Sequence, residues 1–597
     1  MIKFNEQQLK AINHKDGACA VIAGAGSGKS TVMVERIKTL IENSVDGQDI
    51  LAISFTRNTA KELKKKLKRK GISDVNTGTF HAICNKILIQ EGLNPHKHVL
   101  NFEVKNAFNR YNHGKVNTKE IMDFISYQKN YNRTYTDDFV FKETSYTDEE
   151  LREYFKVYED LKDKKKAMDF DDSLIKCLKI LQKNPNKYTF KYVLVDEHQD
   201  SNLVQNMLIK SLCPSNNVFC VFDYRQAIYT FRGGNPEYCM NFNKEFPNAT
   251  IINLDVNYRS TNNIVENANN FIKQYYGDYE FYSDGLSQNK DNGKIKILTN
   301  YGKEEAKMIV DKIEKQLEDG ANPSDFAILY RLNSSPEYIE NELKVRDIDY
   351  FIDNESSFFK RKEINGILSI LRLIQNPHDN EAFENVFNLR TKPLGFMSNN
   401  ILDEITAYAA VNDKSYYEAS QLIKYPQYWQ EKNATKFDEY IYKLSLQYKK
   451  NNNLMKLINN VIVAFSMEEW LDNNFDSKEE VDERIEAFDT LKSFVRSNTL
   501  ESFINYVYSS DKSKRQCKED CVKLMSVHKS KGLEFKTVFV IGIEDGKFPH
   551  KKSDILDEAR LFYVAITRAK ENLYISQIYE GNLFVEQYKK DMKKKIA

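Results

Sequence analysis

Residues 21–31 read VIAGAGSGKST, and this stretch limits the chain more than any other. Two apolar residues lead into a run of small ones, then Gly28-Lys29-Ser30, then a stretch of helical pattern (TVMVERIKTLI). Strand, small-residue loop and helix in that order make a phosphate-binding loop. Its form is A-x-x-x-x-G-K-S, with Ala23 where the common pattern has Gly. Backbone N–H groups of Ala25, Gly26, Ser27, Gly28 and Lys29 can cradle phosphates, and the helix N-terminus adds positive potential. Lys29 is expected to reach the β- and γ-phosphates of a nucleotide such as ATP. Ser30 is expected to ligate Mg²⁺, with Thr31 beside it in the binding set. Such a loop alone suits a kinase, a GTPase, a transporter motor or a helicase.

Hydrolysis needs carboxylates as well, and YVLVDEHQD (192–200) supplies them. Asp196, at the end of an apolar strand, suits a Mg²⁺ ligand, held directly or through water. Glu197 beside it suits the group that polarises the attacking water. Lys29 and Asp196 stand farther apart in sequence than one compact core needs, which calls for an insertion between them.

The rest of the chain fits that organisation. At 597 residues it is too long for a single core. Strand candidates fall at 18–24, 49–55, 192–197, 218–223, 326–331, 522–527, 536–542 and 572–577, alternating with helical patterns as in parallel α/β units. Two long stretches, about 91–187 and 381–519, carry helical pattern instead. The economical picture is two α/β cores, each interrupted by a mainly helical insertion. The first core comprises 1–90 with 188–275, and the second 276–380 with 520–597. The net charge of +1 gives no overall attraction to a polyanion, so a nucleic-acid surface has to be local. The basic runs at 61–70 and 589–597 read most simply as solvated helix faces. No apolar run spans a bilayer and the first residues lack an apolar signal core, so the expectation is a cytoplasmic protein without a membrane. The eight cysteines include a loose pair, Cys517 and Cys521, and are expected to be reduced structural thiols.

The order and wording of further motifs resemble the superfamily 1 helicases of the UvrD/Rep/PcrA type. FNEQQLKA (4–11) resembles the Q motif, LAISFTRNTAKEL (51–63) motif Ia and TGTFHAI (77–83) motif Ib. DEHQD (196–200) resembles motif II, AIYTFRGG (227–234) part of motif III, and LDVNYRST (254–261) motif IV. SVHKSKGLEF (526–535) resembles motif V and ARLFYVAITRAK (559–570) motif VI. The resemblance implies two RecA-like P-loop cores with parallel sheets flanked by helices. It implies that Gln8 reads adenine, Gln226 senses the γ-phosphate, Tyr258 stacks on the base and Glu534 meets the ribose. Arg259 and Arg568 would approach the γ-phosphate, and Arg36 would join the nucleotide site. Phe55, Tyr229 and Phe231 would line a DNA strand as stacking platforms, with core packing a rival role for Phe55. Thr79, His81 and His528 would contact its phosphates or sugars. Phe231 stands where tryptophan is common in the family.

The implied activity is an ATP-dependent 3′→5′ helicase or translocase on single-stranded DNA and on tailed or forked duplexes, in repair, replication or recombination. Three departures temper that expectation. Tyr224 and Arg225 replace acidic or small residues of motif III. Only QIYEGN (577–582) separates the last two apolar stretches, where well-studied members carry a strand-separating hairpin. With the sequence ending at Ala597, about 30 residues past motif VI, no fused nuclease is expected. The alternative expectation is therefore a DNA-stimulated ATPase subunit, weak at unwinding alone, partnered by a nuclease or another repair or phage-defence protein.

Overall fold

Cys19–Ala23 forms strand β1, and all five of its residues are buried. A run that is apolar on both faces belongs inside a parallel sheet covered by helices on both sides. That sheet is present in a computed structural model, which describes residues 3–332, 335–352, 357–475, 478–495, 499–508 and 520–589. The chain divides into two compact units, one of residues 1–299 with 527–597 and one of residues 300–526.

In the first unit, β1 is joined by β2 (Ile50–Ile53), β3 (Asn76–Gly78), β4 (Tyr192–Val195), β5 (Val218–Phe222) and β6 (Thr250–Leu254). The order is β3-β2-β4-β5-β1-β6, and every pairing is parallel. Register brings the strands to a common edge: Ile53 pairs with both Gly78 and Val195, and Ile22 with Phe222. The phosphate loop, Phe55, Thr79, Asp196 and Asp223 thus all leave the sheet at its carboxyl edge, where ligands of open α/β sheets bind. Helix α1 (Glu6–Ile12) precedes β1, α2 (Lys29–Glu42) and α3 (Arg57–Arg69) connect the first three strands, and α4 (Phe80–Gln90) follows β3. Between β3 and β4 the chain also forms α5 (Asn101–Tyr111), α6 (Thr118–Asn130), α7 (Asp148–Lys165) and α8 (Phe170–Lys183). Val104, Phe108, Ile121, Ile125, Phe155 and Tyr158 give this helical insertion a core of its own. Strands β7 (Val256–Thr261) and β8 (Leu286–Asn289) pair in parallel, and β9 (Lys294–Thr299) follows.

The second unit holds β10 (Phe326–Tyr330), β11 (Tyr350–Ile352) and β12 (Val522–Ser526), with β12 parallel to both others. Its larger part is helical, around one apolar cluster that runs from Phe358 to Val507. The helix Lys362–Gln375, placed by sequence pattern in the second α/β core, shares that cluster. It is buried nearly all round, Glu363 and Ser369 included, with Ile364, Ile367, Leu368, Ile370, Leu371 and Leu373 fully buried, so it is enclosed by other helices of this body.

The chain then returns to the first unit with β13 (Phe535–Ile543) and β14 (Ala569–Gln577), and β14 pairs in parallel with both β13 and β9. Between them the helix Ile555–Ile566 is buried from Glu558 onward.

Candidate nucleotide site and single-strand track

The phosphate loop is held open by its glycines. Gly26 (φ 71°) and Gly28 (φ 86°) are left-handed, and Gly28 caps α2. A Cβ on Gly26 would come within 2.6 Å of the Arg259 Cβ, so the close approach of β7 demands glycine as well. Three contacts fix the loop from outside. Gln8 Nε2 donates to the Ser27 carbonyl at 3.1 Å, and Asn257 Nδ2 donates to the Ala25 carbonyl at 2.7 Å. The Tyr258 N–H donates to the Gly26 carbonyl at 2.9 Å. Gln8 is itself set by a reciprocal capping box with Asn5, whose amide reaches the Tyr258 hydroxyl at 3.0 Å. Gln8 and the half-exposed Tyr258 ring therefore sit together at one side of the loop. Lys29 opens α2, its Nζ donating to the Ala23 carbonyl at 3.2 Å, with Ser30 and Thr31 next on the same helical turn.

Asp196 and Glu197 follow β4 directly, Asp196 buried and Glu197 half-buried. Burial and the neighbouring Glu197 push the Asp196 carboxyl up to about 7. Burial also works against ionisation of Glu197, but Lys29 and Lys531 outweigh it and hold Glu197 below its ordinary value. Of the two carboxyls Glu197 is therefore the more readily ionised. A divalent cation would supply what Asp196 lacks, so the donor set of Asp196 and Ser30 fits Mg²⁺. Glu197 has a left-handed backbone (φ 53°), a strained conformation for a non-glycine residue at a site of chemistry.

A chain of side chains leads from this carboxylate across the sheet edge. Gln199 Nε2 donates to Glu197 Oε2 at 2.5 Å, and its Oε1 accepts from the Asp223 N–H at 3.0 Å. Asp223 Oδ2 accepts from Gln226 Nε2 at 2.7 Å, and Gln226 Oε1 accepts from Arg568 Nη2 at 3.0 Å. Arg568 is buried, its other nitrogens donating to the carbonyls of Val564 (3.0 Å) and Leu533 (3.1 Å). Burial and the nearby Arg259 lower its pKa, so an arriving anion relieves both costs. Arg259 donates from Nε to Glu534 at 2.7 Å and from Nη1 to the Thr567 carbonyl at 3.2 Å. Glu534 is also paired with Lys570 at 2.8 Å. Arg36 is engaged away from the loop: its guanidinium donates to the carbonyls of Ile12 (3.2 Å) and Lys15 (3.0 Å). A buried guanidinium needs acceptors, and those at the end of α1 are the ones it finds, so Arg36 braces the segment carrying Gln8 rather than the phosphates.

The substituted motif III residues form a unit of their own. Arg225 Nε donates to Asp223 Oδ1 at 2.7 Å, and the guanidinium lies against the rings of Tyr224 and Tyr563. The basic side chain is thereby neutralised inside the core while Asp223 keeps its bond to Gln226.

Aromatic rings gather beside this network. Phe55 and Tyr229 stack with centroids 5.3 Å apart, and Phe231 meets the His528 ring edge-on at 5.8 Å. Phe231 is 57% exposed, a large apolar face turned to solvent. Phe55 is only half-buried, so its ring is available as well as packed. Thr79 caps α4 and is buried, and His81 lies edge-on to Phe170. Lys531 bridges the two regions. Its ammonium contacts Asp200, donates to the Gln226 carbonyl at 2.8 Å and stands 5.2 Å from the Tyr229 ring centroid.

Asn257, Gln199 and Lys531 were not singled out from sequence. Each lies inside a motif quoted above, and only the fold reveals that their side chains make the cross-links. Cys517 lies outside the described residues, and Cys521 is a buried free thiol.

Comparison with known proteins agrees with this arrangement. Residues 4–247 match the UvrD/REP helicase N-terminal domain and residues 252–580 the UvrD-like helicase C-terminal domain. The chain is 31% identical to the ATP-dependent DNA helicase PcrA of Bacillus subtilis (strain 168), over 97% of this chain and 83% of that one. It is 33% identical to the ATP-dependent DNA helicase Rep of Buchnera aphidicola subsp. Schizaphis graminum, over 96% of this chain and 93% of that one. The putative ATP-dependent DNA helicase YjcD of Bacillus subtilis is 30% identical over 96% of this chain. With both domains of the family matched in order around an intact phosphate loop, the chain belongs to the UvrD-like helicases.

Proposed function

We propose that this protein is an ATP-dependent DNA helicase that translocates 3′→5′ along single-stranded DNA and separates tailed or forked duplexes in repair, replication or recombination. The observation that carries the reading is the contact chain from Glu197 through Gln199, Asp223 and Gln226 to Arg568, with Lys531 extending it to Tyr229. It links the group that would activate water to the rings that would hold a base. The family's named relatives are ATP-dependent DNA helicases, which supports DNA as the track. Polarity follows the family resemblance. Among the described residues no helix is long and apolar enough to cross a membrane, and we place the protein in the cytoplasm.

In this mechanism Gln8 and Tyr258 hold the adenine and the loop amides of residues 25–29 hold the phosphates. Lys29 leaves the Ala23 carbonyl to meet them. Mg²⁺, held by Ser30 and Asp196, would neutralise phosphate charge. Glu197, ionised and fixed by Gln199, takes a proton from the attacking water. Arg568 and Arg259 stabilise charge on the transferred phosphoryl group, and Arg259 exchanges its Glu534 contact for phosphate oxygens. Loss of the γ-phosphate alters the Gln226–Arg568 contact, and Lys531 passes that change to Tyr229. For the domains, we read 1–90 with 188–275 as the first motor core and 91–187 as its insertion. The second core draws on segments of 276–380 and 520–597 around the helical body, which packing begins near Phe358.

The test is steady-state ATP hydrolysis with and without single-stranded DNA. Stimulation by at least about tenfold is expected, and turnover indifferent to DNA would remove the motor reading.

A further inference from the structure

Arg225 is a departure from the family pattern, and the contact chain from Glu197 to Arg568 passes beside it. Its side chain is 4% exposed, so its charge has to be met inside the core. Nε donates to Asp223 Oδ1 at 2.7 Å, and the Arg225 main-chain N–H donates to the same oxygen at 3.2 Å. Nη1 donates to the Ser283 carbonyl at 3.2 Å, and the Ser283 hydroxyl donates to Asp255 at 2.5 Å. Nη2 lies against Gly24, where β1 turns into the phosphate loop; a Cβ there would stand 3.0 Å from it. The rings of Tyr224 and Tyr563, 5.6 and 5.8 Å from the guanidinium carbon, confine it further. One planar fork thus serves Asp223 and Ser283 together, which a lysine ammonium does less well.

The consequence falls on Asp223, whose carboxylate is wholly buried. With Oδ1 filled by two donors of residue 225, Oδ2 is left for Gln226 Nε2, which it meets at 2.7 Å. A primary amide has a donor end and an acceptor end. An ionised Asp223 only accepts, so it takes the amide nitrogen and turns Gln226 Oε1 toward Arg568 Nη2, a pure donor, at 3.0 Å. A protonated Asp223 would be free to donate to Oε1, and the amide nitrogen would then face the guanidinium, donor against donor. Burial works against the charge on Asp223, but Arg225 and Lys29 outweigh it and hold the carboxyl below its ordinary value. Glu197, Cys239, Tyr563 and Arg568 face it from other elements, with Tyr224 beside it. Among the described residues, Arg225 is the cation ion-paired with it.

We propose that Arg225 is a positioning residue for ATP hydrolysis: by filling Oδ1 of Asp223 it holds that carboxylate as an acceptor for Gln226, and so keeps the Gln226 oxygen turned to Arg568. The inference rests on the ATPase reading above and adds to it the residue that orients the γ-phosphate sensor before reaction.

The test compares wild type, Arg225→Lys, Arg225→Met and the double variant Asp223→Asn/Arg225→Met, all in the full-length chain. Steady-state kcat and KM for ATP are measured at saturating single-stranded DNA from about pH 7 to about pH 9. Binding of a fluorescent ATP analogue certifies the fold of each. Arg225→Met should lower kcat by about 10- to 100-fold with KM within about threefold, because the misturned amide harms the transition state more than binding. Without its cation the buried Asp223 carboxyl is raised, so kcat relative to wild type should climb with pH as the proton leaves. Arg225→Lys keeps a cation beside Asp223 and should recover most of the turnover, with a flat ratio. The double variant leaves no buried charge of the pair unmatched and should fold even where Arg225→Met does not. An asparagine amide offers Gln226 either end, so kcat should stay low at every pH. Near-wild-type kcat in Arg225→Met or in the double variant overturns the proposal, because the pair would then serve stability alone. Arg225→Lys no faster than the uncharged variants overturns it too, as does a loss confined to KM. Wild type that does not hydrolyse ATP removes the ATPase reading itself, an outcome distinct from a failure of Arg225.

Discussion

Around the phosphate loop the polar side chains are held by fixed partners. Gln8 holds Ser27, Asn257 holds Ala25, Gln199 holds Glu197, and Gln226 holds Arg568. Along the track the same edge of the sheet presents rings that pack against one another, Phe55 against Tyr229 and Phe231 against His528, with Phe231 turned to solvent. The difference follows from what each region has to do. Phosphoryl transfer depends on charges placed beforehand, because reorganising them during reaction raises the barrier. A moving strand has to be gripped and released, which sequence-tolerant stacking on exposed rings allows. Substitutions at the loop should therefore damage turnover, and substitutions at the track should damage DNA response.

The largest effects should come from the loop. Lys29→Ala should abolish ATP turnover, and Glu197→Gln should keep ATP binding while stopping hydrolysis. Arg568→Ala should lower kcat by about 10³-fold or more, as removal of a transition-state arginine does. Nucleotide binding by fluorescence beside steady-state ATPase separates these outcomes, and retained turnover in any of the three sinks the assignment. Gln199→Ala should act more mildly, because it only frees a carboxylate to wander. A kcat loss up to about 10²-fold with little change in KM for ATP is expected, and a change confined to KM would give Gln199 a binding role instead. Phe231→Ala should raise the DNA concentration for half-maximal stimulation by roughly 5- to 150-fold, from stacking worth about 1–3 kcal/mol. If it lowered kcat at saturating DNA instead, the division between loop and track would blur. Mildest near neutral pH is a stability effect. Burial holds the His198 imidazole down at about 4, so the unfolded chain binds its proton first. His198 thus costs nothing above pH about 6.5, and stability falls as pH drops from there toward 4, by about 1.4 kcal/mol per unit. His198→Phe should flatten that acid-side loss in urea melts, and an unchanged pH profile would assign the loss to other groups.

Much of this was legible in the sequence. The strands carrying VIAG, YVLV and VFCVF are apolar on both faces, so burial in a parallel sheet follows from composition alone. The loop and the paired carboxylates stood out because their chemistry tolerates few other residue types, whereas the arginines were named only through the family resemblance. Strands such as β3 (NTG) and β8 (LSQN) escaped notice because they are short and polar, and only their neighbours make them strands. The placement of helix Lys362–Gln375 in the helical body escaped for a related reason, since periodicity tells which residues are buried but not which partners bury them. Arg36 shows the limit of transfer by motif: its position fits the family, but its guanidinium serves two carbonyls near α1. Asn257, Gln199 and Lys531 needed the fold, because amide and ammonium cross-links between distant segments leave no periodic trace.

The most direct measurement follows strand separation and ATP hydrolysis in the same tubes, using matched duplexes that carry a 3′ or a 5′ single-stranded tail. The account predicts ATP-dependent unwinding from the 3′ tail, none from the 5′ tail, and loss of both unwinding and turnover in Glu197→Gln. Hydrolysis stimulated by either tail without strand separation, or unwinding from the 5′ tail, would contradict it.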